Sequence, residues 1–480
     1  MLIINLDLAE FAVEYAQKLG ATYAEARLEQ TNGHSVILKN STPETLGIVF
    51  EYGIGIRVIH SGGLAFSSVN TISKDHIKDA VEKAVKFAKQ SGKARKEPIR
   101  FSEEKSYDDS YEVKMKKSFL DISNDERLKL LLDLDEMILS RKSDVLFPAR
   151  IFMFTDWINE KYFVNSDGTK IYSNLPRFSL IGVITAIGNN RAEQTFEQYG
   201  ETGGWEKLEA LNIPDRLSDS LSALEEQILK SKPCPEGEMD LVIGPEVAGI
   251  IAHESAGHPG EADRILGREG AQAGESYLSP EDIGIKIGSE NVSVIDDPTL
   301  DGSYGYYLYD DEGVRARARY LIKNGIITEF LHNRETAATM GTHSNGAARG
   351  IGFNREPIVR MANTFIAPGD WDPDEIIEEV KFGILMETFG EWNIDDRRFN
   401  QKYIGRKAYL IENGEIKHPV NRPVLEITTP GFYSSVVGSS KKLDFVAATC
   451  GKSDPSQGAP VWTGGPERTL VRGIRIGGSS

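Results

Sequence analysis

The chain has 480 residues, of which 40% are apolar and 26% charged, with two cysteines and a formal charge of −17. That composition excludes a disordered or fibrous chain and a disulfide-stapled secreted domain, and its acidic excess argues against nucleic acid or an anionic membrane as a partner. No apolar run approaches the roughly 20 residues of a membrane span, and MLIINLDLAEFAVEYAQKLG has no basic region ahead of its apolar part, so the expectation is a cytoplasmic protein of two or three domains.

DLAEFAVEYAQKLG carries a helical apolar stripe, and YAEARLEQTNGHSVILKN alternates in the manner of strands, with a turn expected at Asn32-Gly33. GIVFEYGIGIRVIHSGGLAFSSVN reads as two strands joined at Gly62-Gly63, followed by the helix SKDHIKDAVEKAVKFAKQSGK with Ser73 placed to cap it. The polar stretch GKARKEPIRFSEEKSYDDSYEV predicts a water-exposed connector and a soft boundary near 115.

A second unit begins with the helix SNDERLKLLLDLDEMILSRK. It continues through the strand-rich RIFMFTDWINEKYFVNSDGTKIYSN and RFSLIGVITAIG to the helix IPDRLSDSLSALEEQILKSK. Two prolines and a glycine in SKPCPEGEMD mark the clearest boundary, ahead of the strand MDLVIGP. Short strands dominate beyond it, and RYLIKNGIITEFL and AYLIENGEIKHPV fit hairpins with Asn-Gly turns. The glycine-rich GTHSNGAARGIG is a loop that lacks the spacing of a nucleotide-binding motif. The expected architecture is α+β: an N-terminal portion of helices and antiparallel sheet, then a strand-rich, barrel-like C-terminal domain. Expected boundaries are 1–115, 116–232 and 236–480.

The chemistry concentrates in PEVAGIIAHESAGHPG, residues 245 to 260, where Pro245 suits a first helical position and Val247, Ile250 and Ile251 form the buried stripe. Histidines four apart on a helix lie within about 40° of each other, whereas five apart they diverge by about 140°. His253 and His258 therefore share a ligand only if the last turn widens toward π geometry or the helix breaks. Gly257 and Pro259 favour a break, with His258 returning from an irregular position. Glu254 stands as Glu does in zinc hydrolases, beside a histidine ligand, to take a proton from metal-bound water. Candidates for a third ligand are His332, His343, Glu261, Asp263 and Cys450. The plainer alternative makes His258 a helix cap, His253 a core residue and Cys450 a small buried hydrophobe.

HESAGH, together with the late segment CGKSDPSQGAPVWTGGP, resembles the TldD branch of the TldD/PmbA (TldE) family. GIGIRVIHSGGLAFSS, FVNSDGTKI and DDEGVRARARYLIKNGIITEFLHNRETA extend the likeness over essentially the whole chain. Two features depart from the pattern: Pro259 stands where glycine is familiar, and KSDPSQG is longer than the common loop. The resemblance implies a zinc metallopeptidase with an HExxxH motif and one Zn2+ per chain, held by His253, His258 and Cys450, with Glu254 as general base. It also implies peptide or unfolded-protein substrates, a role in peptide maturation, and a dimer with a metal-free PmbA/TldE-type subunit or with a second copy. The rival readings are a peptide-binding assembly subunit with a structural zinc, and a thiol hydrolase built on Cys450.

Overall fold

The computed structural model describes residues 6–270, 274–453 and 456–478. The opening segment and the loop after Cys450 were both read above, and Met1 to Asn5 of the former and Asp454 and Pro455 of the latter lie outside those residues.

The N-terminal half is built on one seven-stranded sheet: β1 (Tyr23–Lys39), β2 (Thr42–His60), β3 (Gly63–Val69), β4 (Asp108–Glu112), β5 (Leu146–Asn165), β6 (Lys170–Gly188) and β7 (Arg191–Thr202). The strand order is β3-β2-β1-β5-β6-β4, β7 also pairs with β6, and every pairing is antiparallel except β4 with β6. Alternation sorts the two faces. Ala24, Ala26 and Leu28 of β1 lie in one cluster with residues of α1 (Leu6–Lys18) and α2 (Lys74–Ala94). Farther along, Val36, Phe154, Phe178 and Leu180 meet α3 (Asn124–Leu139), α4 (Trp205–Ala210) and α5 (Ile213–Lys230). The alternate positions Glu25, Arg27, Glu29, Arg57 and Arg177 are charged, and they are buried because the C-terminal half lies against that face.

Ser73 caps α2 by accepting from His76 N, as the sequence leads one to expect, and Ser123 caps α3 by accepting from Glu126 N while its own N–H donates to the Glu126 carboxylate. The turn expected at Asn32-Gly33 does not form: β1 runs straight through, with Gly33 opposite Val49 on β2 and Trp157 on β5. A Cβ at Gly33 would lie 2.0 Å from Asp156 O, so this glycine serves a close strand approach. The reversal falls at Asn40 and Ser41, both at positive φ. The expected water-exposed connector is pinned as well, since Ser102 N donates to Arg334 O and 108–112 joins the sheet.

The C-terminal half contains a ten-stranded sheet shaped as a half-barrel and a six-stranded sheet, packed about one large apolar core. Both expected Asn-Gly hairpins form, with positive φ at Asn324, Gly325, Asn413 and Gly414. The helix α6 (Pro245–Ala252), with Pro at its start, sits in that core against the strand Gln457–Pro466. The approach is close enough that a Cβ at Gly249 would lie 2.5 Å from Gly464 N. Among the described residues no helix is long and apolar enough to cross a membrane.

Gly33→Ala should lower stability by about 1–3 kcal/mol, because the methyl group must push β5 away. Gly390→Ala meets only Arg406 Cβ, at 3.6 Å, and should stay within about 0.5 kcal/mol. Urea midpoints compare the two; equal midpoints would mean that the β1–β5 pairing does not depend on the missing side chain.

Candidate metal centre

Helix α6 does not end at His253; it widens. His253 to Gly257 form a π turn in which His258 N donates to His253 O at 3.0 Å. The wider turn brings the histidines together, with ring centroids 4.8 Å apart and planes at 82°. The expected break is corrected here: His258 keeps helical dihedrals (φ −60°, ψ −45°) even with Pro259 after it. Gly257 is not a left-handed end residue either. A Cβ there would lie 2.0 Å from Met361 Sδ, so it admits a neighbouring side chain. Backbone groups displaced by the widened turn find other partners. Tyr277 Oη donates to Ser255 O at 3.0 Å, and Ser255 Oγ donates to Ile251 O at 2.6 Å and meets Tyr433 Oη.

Cys450 enters from the hairpin of Leu443–Lys452 and Gln457–Pro466, where it pairs with Ala459. Its Sγ lies 3.4 Å from His258 Nε2. One donor atom each from His253, His258 and Cys450 lie within 4.8 Å of one another, and all three residues are buried. Arg360, fully buried, donates to Cys450 O and to Gln457 O and so ties the hairpin's end at the site.

The protonation states suit a metal. Burial holds His253 below its usual value and favours the neutral imidazole, and its buried Nδ1 has no hydrogen-bond partner among the described residues. Burial would raise the Cys450 thiol, but the neighbouring His258 ring and the Arg360 guanidinium outweigh it and hold the thiol below its usual value. Two imidazoles and a thiolate form a three-donor set of the kind that holds catalytic zinc with one coordination position open.

The other candidate ligands do other work. Glu261 accepts from His258 Nδ1 at 3.0 Å and from Arg264 Nε at 2.6 Å, and it lies 3.2 Å from Lys452 Nζ. It therefore fixes the tautomer that turns Nε2 toward Cys450. Burial would raise Glu261, but Lys452, His258 and Arg264 hold it well below its usual value. Asp263 accepts from Lys452 at 2.7 and 2.8 Å. His332 bonds Thr336 and burial pulls it down to about 4, while the exposed His343 lies 3.6 Å from Glu104.

Glu254 follows His253 on the same π turn, and its carboxylate accepts a hydrogen bond from Arg398 Nη1. Burial would raise Glu254, but His258, His253 and Arg398 outweigh it and hold it ionised below its usual value. Arg398 stands at positive φ in a turn that Asp395 braces by accepting from Phe399 N and Asn400 N. The Arg398 Nε is buried and has no hydrogen-bond partner among the described residues. Sequence reasoning did not find Arg398 or Arg360, because nothing in NIDDRRFN or REPIVRMAN marks the arginine that folds inward. The role of Glu261 was half visible, since it was already a candidate for a ligand.

Three family models match the chain in order: PmbA/TldA metallopeptidase domain 1 at 24–88, the central domain at 117–225 and the C-terminal domain at 236–478. A metalloprotease of Methanocaldococcus jannaschii is 30% identical over 463 residues, covering 96% of this chain and 98% of that protein. A zinc metalloprotease TldD homolog of Saccharolobus solfataricus is 26% identical over 471 residues, covering 97% and 99%. The crystal structure of TldE from Thermococcus kodakarensis has the same fold, with a TM-score of 0.75 at 18% identity and coverage of 98% and 100%.

Cobalt(II) titrated into the protein should give the intense absorption of a metal–thiolate bond, and Cys450→Ser should abolish it. Glu261→Gln should keep the absorption but weaken cobalt retention about 10–100-fold in chelator competition, because His258 loses its orienting carboxylate. An unchanged Glu261→Gln affinity would show that the carboxylate does not orient the ring.

Proposed function

The chain belongs to the PmbA/TldA metallopeptidase family, and on that premise we propose that it is a zinc-dependent peptidase in which His253, His258 and Cys450 hold the metal and Glu254 is the general base. The observation that carries this reading is the buried three-donor group with an ionised carboxylate on the same turn. When bound there, zinc would act as a Lewis acid toward the scissile carbonyl and make water a stronger nucleophile at neutral pH. Glu254 takes the proton from the attacking water and delivers it to the leaving amine.

Arg398 supplies the remaining requirement, a donor for the negative charge that develops on the carbonyl oxygen. Its Nη1 is on Glu254 and its Nε has no hydrogen-bond partner among the described residues, so a guanidinium with donors to give stands at the base. The outer strand Phe389–Ile394 ends the ten-stranded sheet, has no strand on its outer edge among the described residues and leads into the Arg398 turn. An extended peptide added to that edge would reach the site through main-chain bonds, which supports peptides or unfolded small proteins as substrates and peptide maturation as the role. A protein partner, either a metal-free PmbA/TldE-type subunit or a second copy, is part of the same proposal. Its support is the exposed Leu46, Ile48 and Phe50 on β2.

A second reading has its own support, since Cys450, His258 and Glu261 align as a thiol, an imidazole and a carboxylate. It leaves the unpartnered His253 without a task. Chelation separates the two readings: cleavage should stop on metal removal and return with zinc, and chelator-resistant cleavage blocked by thiol reagents would favour the thiol hydrolase.

Elemental analysis should find about one zinc per chain. Glu254→Gln should retain it and cleave an unstructured peptide about 10²–10⁴-fold more slowly; undiminished cleavage would remove Glu254 from the mechanism. Arg398→Ala should lower kcat about 10²-fold with little change in KM and weaken a phosphinic peptide inhibitor in parallel. Arg398→Lys should recover part of both. A loss confined to KM would make Arg398 a substrate-binding residue instead.

A further inference from the structure

The charged face of the N-terminal sheet borders a partly open cavity of about 350 Å3 where it meets the C-terminal half. Its walls include Trp157, Lys161 and Arg177 from the sheet, Tyr304 from a C-terminal loop, Arg349 from the short strand Ala348–Arg349, and Thr449 from the hairpin. Thr449 pairs with Pro460 and Cys450 with Ala459, so the cavity and the candidate metal centre lie on opposite faces of that hairpin. The cavity is a separate place from the peptidase site.

Two of its guanidiniums have no carboxylate of their own. Arg177, 8% exposed, donates Nε to Tyr304 O at 3.1 Å and Nη2 to Tyr306 O at 2.5 Å. Arg349, 5% exposed, donates to Met361 O at 2.7 Å and Pro460 O at 2.9 Å and stands 5.4 Å over the Tyr307 ring. Neither forms an ion pair among the described residues, whereas the buried Arg27, Arg57, Arg127, Arg150 and Arg319 all do. Of the acids that line the cavity, Asp311 is paired with Lys161 and Arg27, Glu29 with Arg27, and Asp310 accepts from the N–H groups of Glu312, Val314 and Ala348, while Glu51 is exposed to solvent. Burial and the neighbouring Arg349 pull Arg177 down to about 10, the signature of a cation missing its partner.

Burying two cations side by side is unfavourable unless an anion joins them. Beside them the wall is aromatic. Trp157 is the cross-strand partner of Arg177, and its ring packs edge-on against Tyr304 with centroids 6.1 Å apart. A ligand that satisfies both features has a planar anionic end for the guanidinium forks and an apolar body for the rings.

We propose that this cavity is a binding site for a small organic carboxylate, with the carboxylate on Arg177 and Arg349 and the apolar body against Trp157 and Tyr304. The site does not depend on the metallopeptidase reading, and chelator-treated protein should bind the ligand equally well.

The test uses the full-length chain, with N-acetylphenylalanine, its amide and inorganic phosphate as probes at constant ionic strength. The carboxylate should raise the thermal midpoint and change tryptophan fluorescence, and the fluorescence change should vanish in Trp157→Phe. The amide should do neither. Arg177→Gln should weaken binding about tenfold or more, and Arg349→Lys, which keeps charge but loses the fork, should weaken it as well. Arg349→Lys and the fluorescence of the unaltered protein carry the test if Arg177→Gln fails to fold. Equal effects of acid and amide, binding unaffected by either arginine substitution, or a response to phosphate alone would each overturn the proposal.

Discussion

The site depends on a buried charge cluster that joins two distant parts of the chain. Lys452, two residues beyond Cys450, reaches Asp263 and Glu261 and also donates to Val359 O at 2.9 Å. Glu261 in turn holds His258, three residues earlier, and Arg264. The ammonium at the hairpin's end therefore anchors the acid that orients a histidine on the π turn. Cysteine and histidine approach because their neighbours in sequence are ion-paired. Removing one member would leave the others charged, buried and uncompensated, a far larger penalty than the loss of a surface pair.

That cluster also prepares the donors. A buried histidine tends to be neutral and a buried thiol tends to keep its proton, so burial alone serves one donor and hinders the other. At Cys450 the hindrance is overcome by His258 and Arg360, and at Glu254 by the two imidazoles and Arg398. Each carboxylate or thiolate in the site thus has a cation supplied by a different segment. The π turn is what allows this, because it gathers His253, Glu254 and His258 within one widened turn and exposes carbonyls that Tyr277 and the surrounding core can satisfy.

Much of the architecture was legible because period and caps repeat the same message. The helices beginning near Ser73 and Ser123, the two Asn-Gly hairpins and the strand before Pro245 follow from local sequence alone. The failures have one cause: a residue with two uses. Gly33 follows Asn32 as it would in a turn, yet it serves strand packing, and Gly257 looks like a helix terminator yet admits Met361. Glu25, Arg27 and Glu29 occupy the polar phase of an alternating strand, and only the distant C-terminal half makes that phase an interior. In the site, HESAGH and the cysteine could be picked out by residue type. Of the residues that aim and charge them, Glu261 stands three residues after His258 and was already a ligand candidate, whereas Lys452, Arg360 and Arg398 carry no local spacing signal because their partners are brought by the fold.

The same hairpin explains why the two halves cannot be considered separately. One of its faces presents Cys450 to the π turn; the other meets the N-terminal sheet, where Gln198 Nε2 approaches Thr449 Oγ1 at 3.4 Å and Trp462 Nε1 donates to Gly200 O at 2.9 Å. The N-terminal sheet thus backs the strand that carries Cys450, while its own charged face obtains counter-charges from the C-terminal half, as in Arg57 with Glu312. Neither surface would be satisfied alone: the sheet would expose a charged face whose internal pairs, Arg27 with Glu29 and Arg57 with Glu25, lose their C-terminal partners, and the hairpin would lose the wall behind its cysteine. The hairpin that carries Cys450 is therefore held from behind on both of its strands, at Thr449 and at Trp462, so the N-terminal half supports the candidate metal centre while its three donors all come from the C-terminal half.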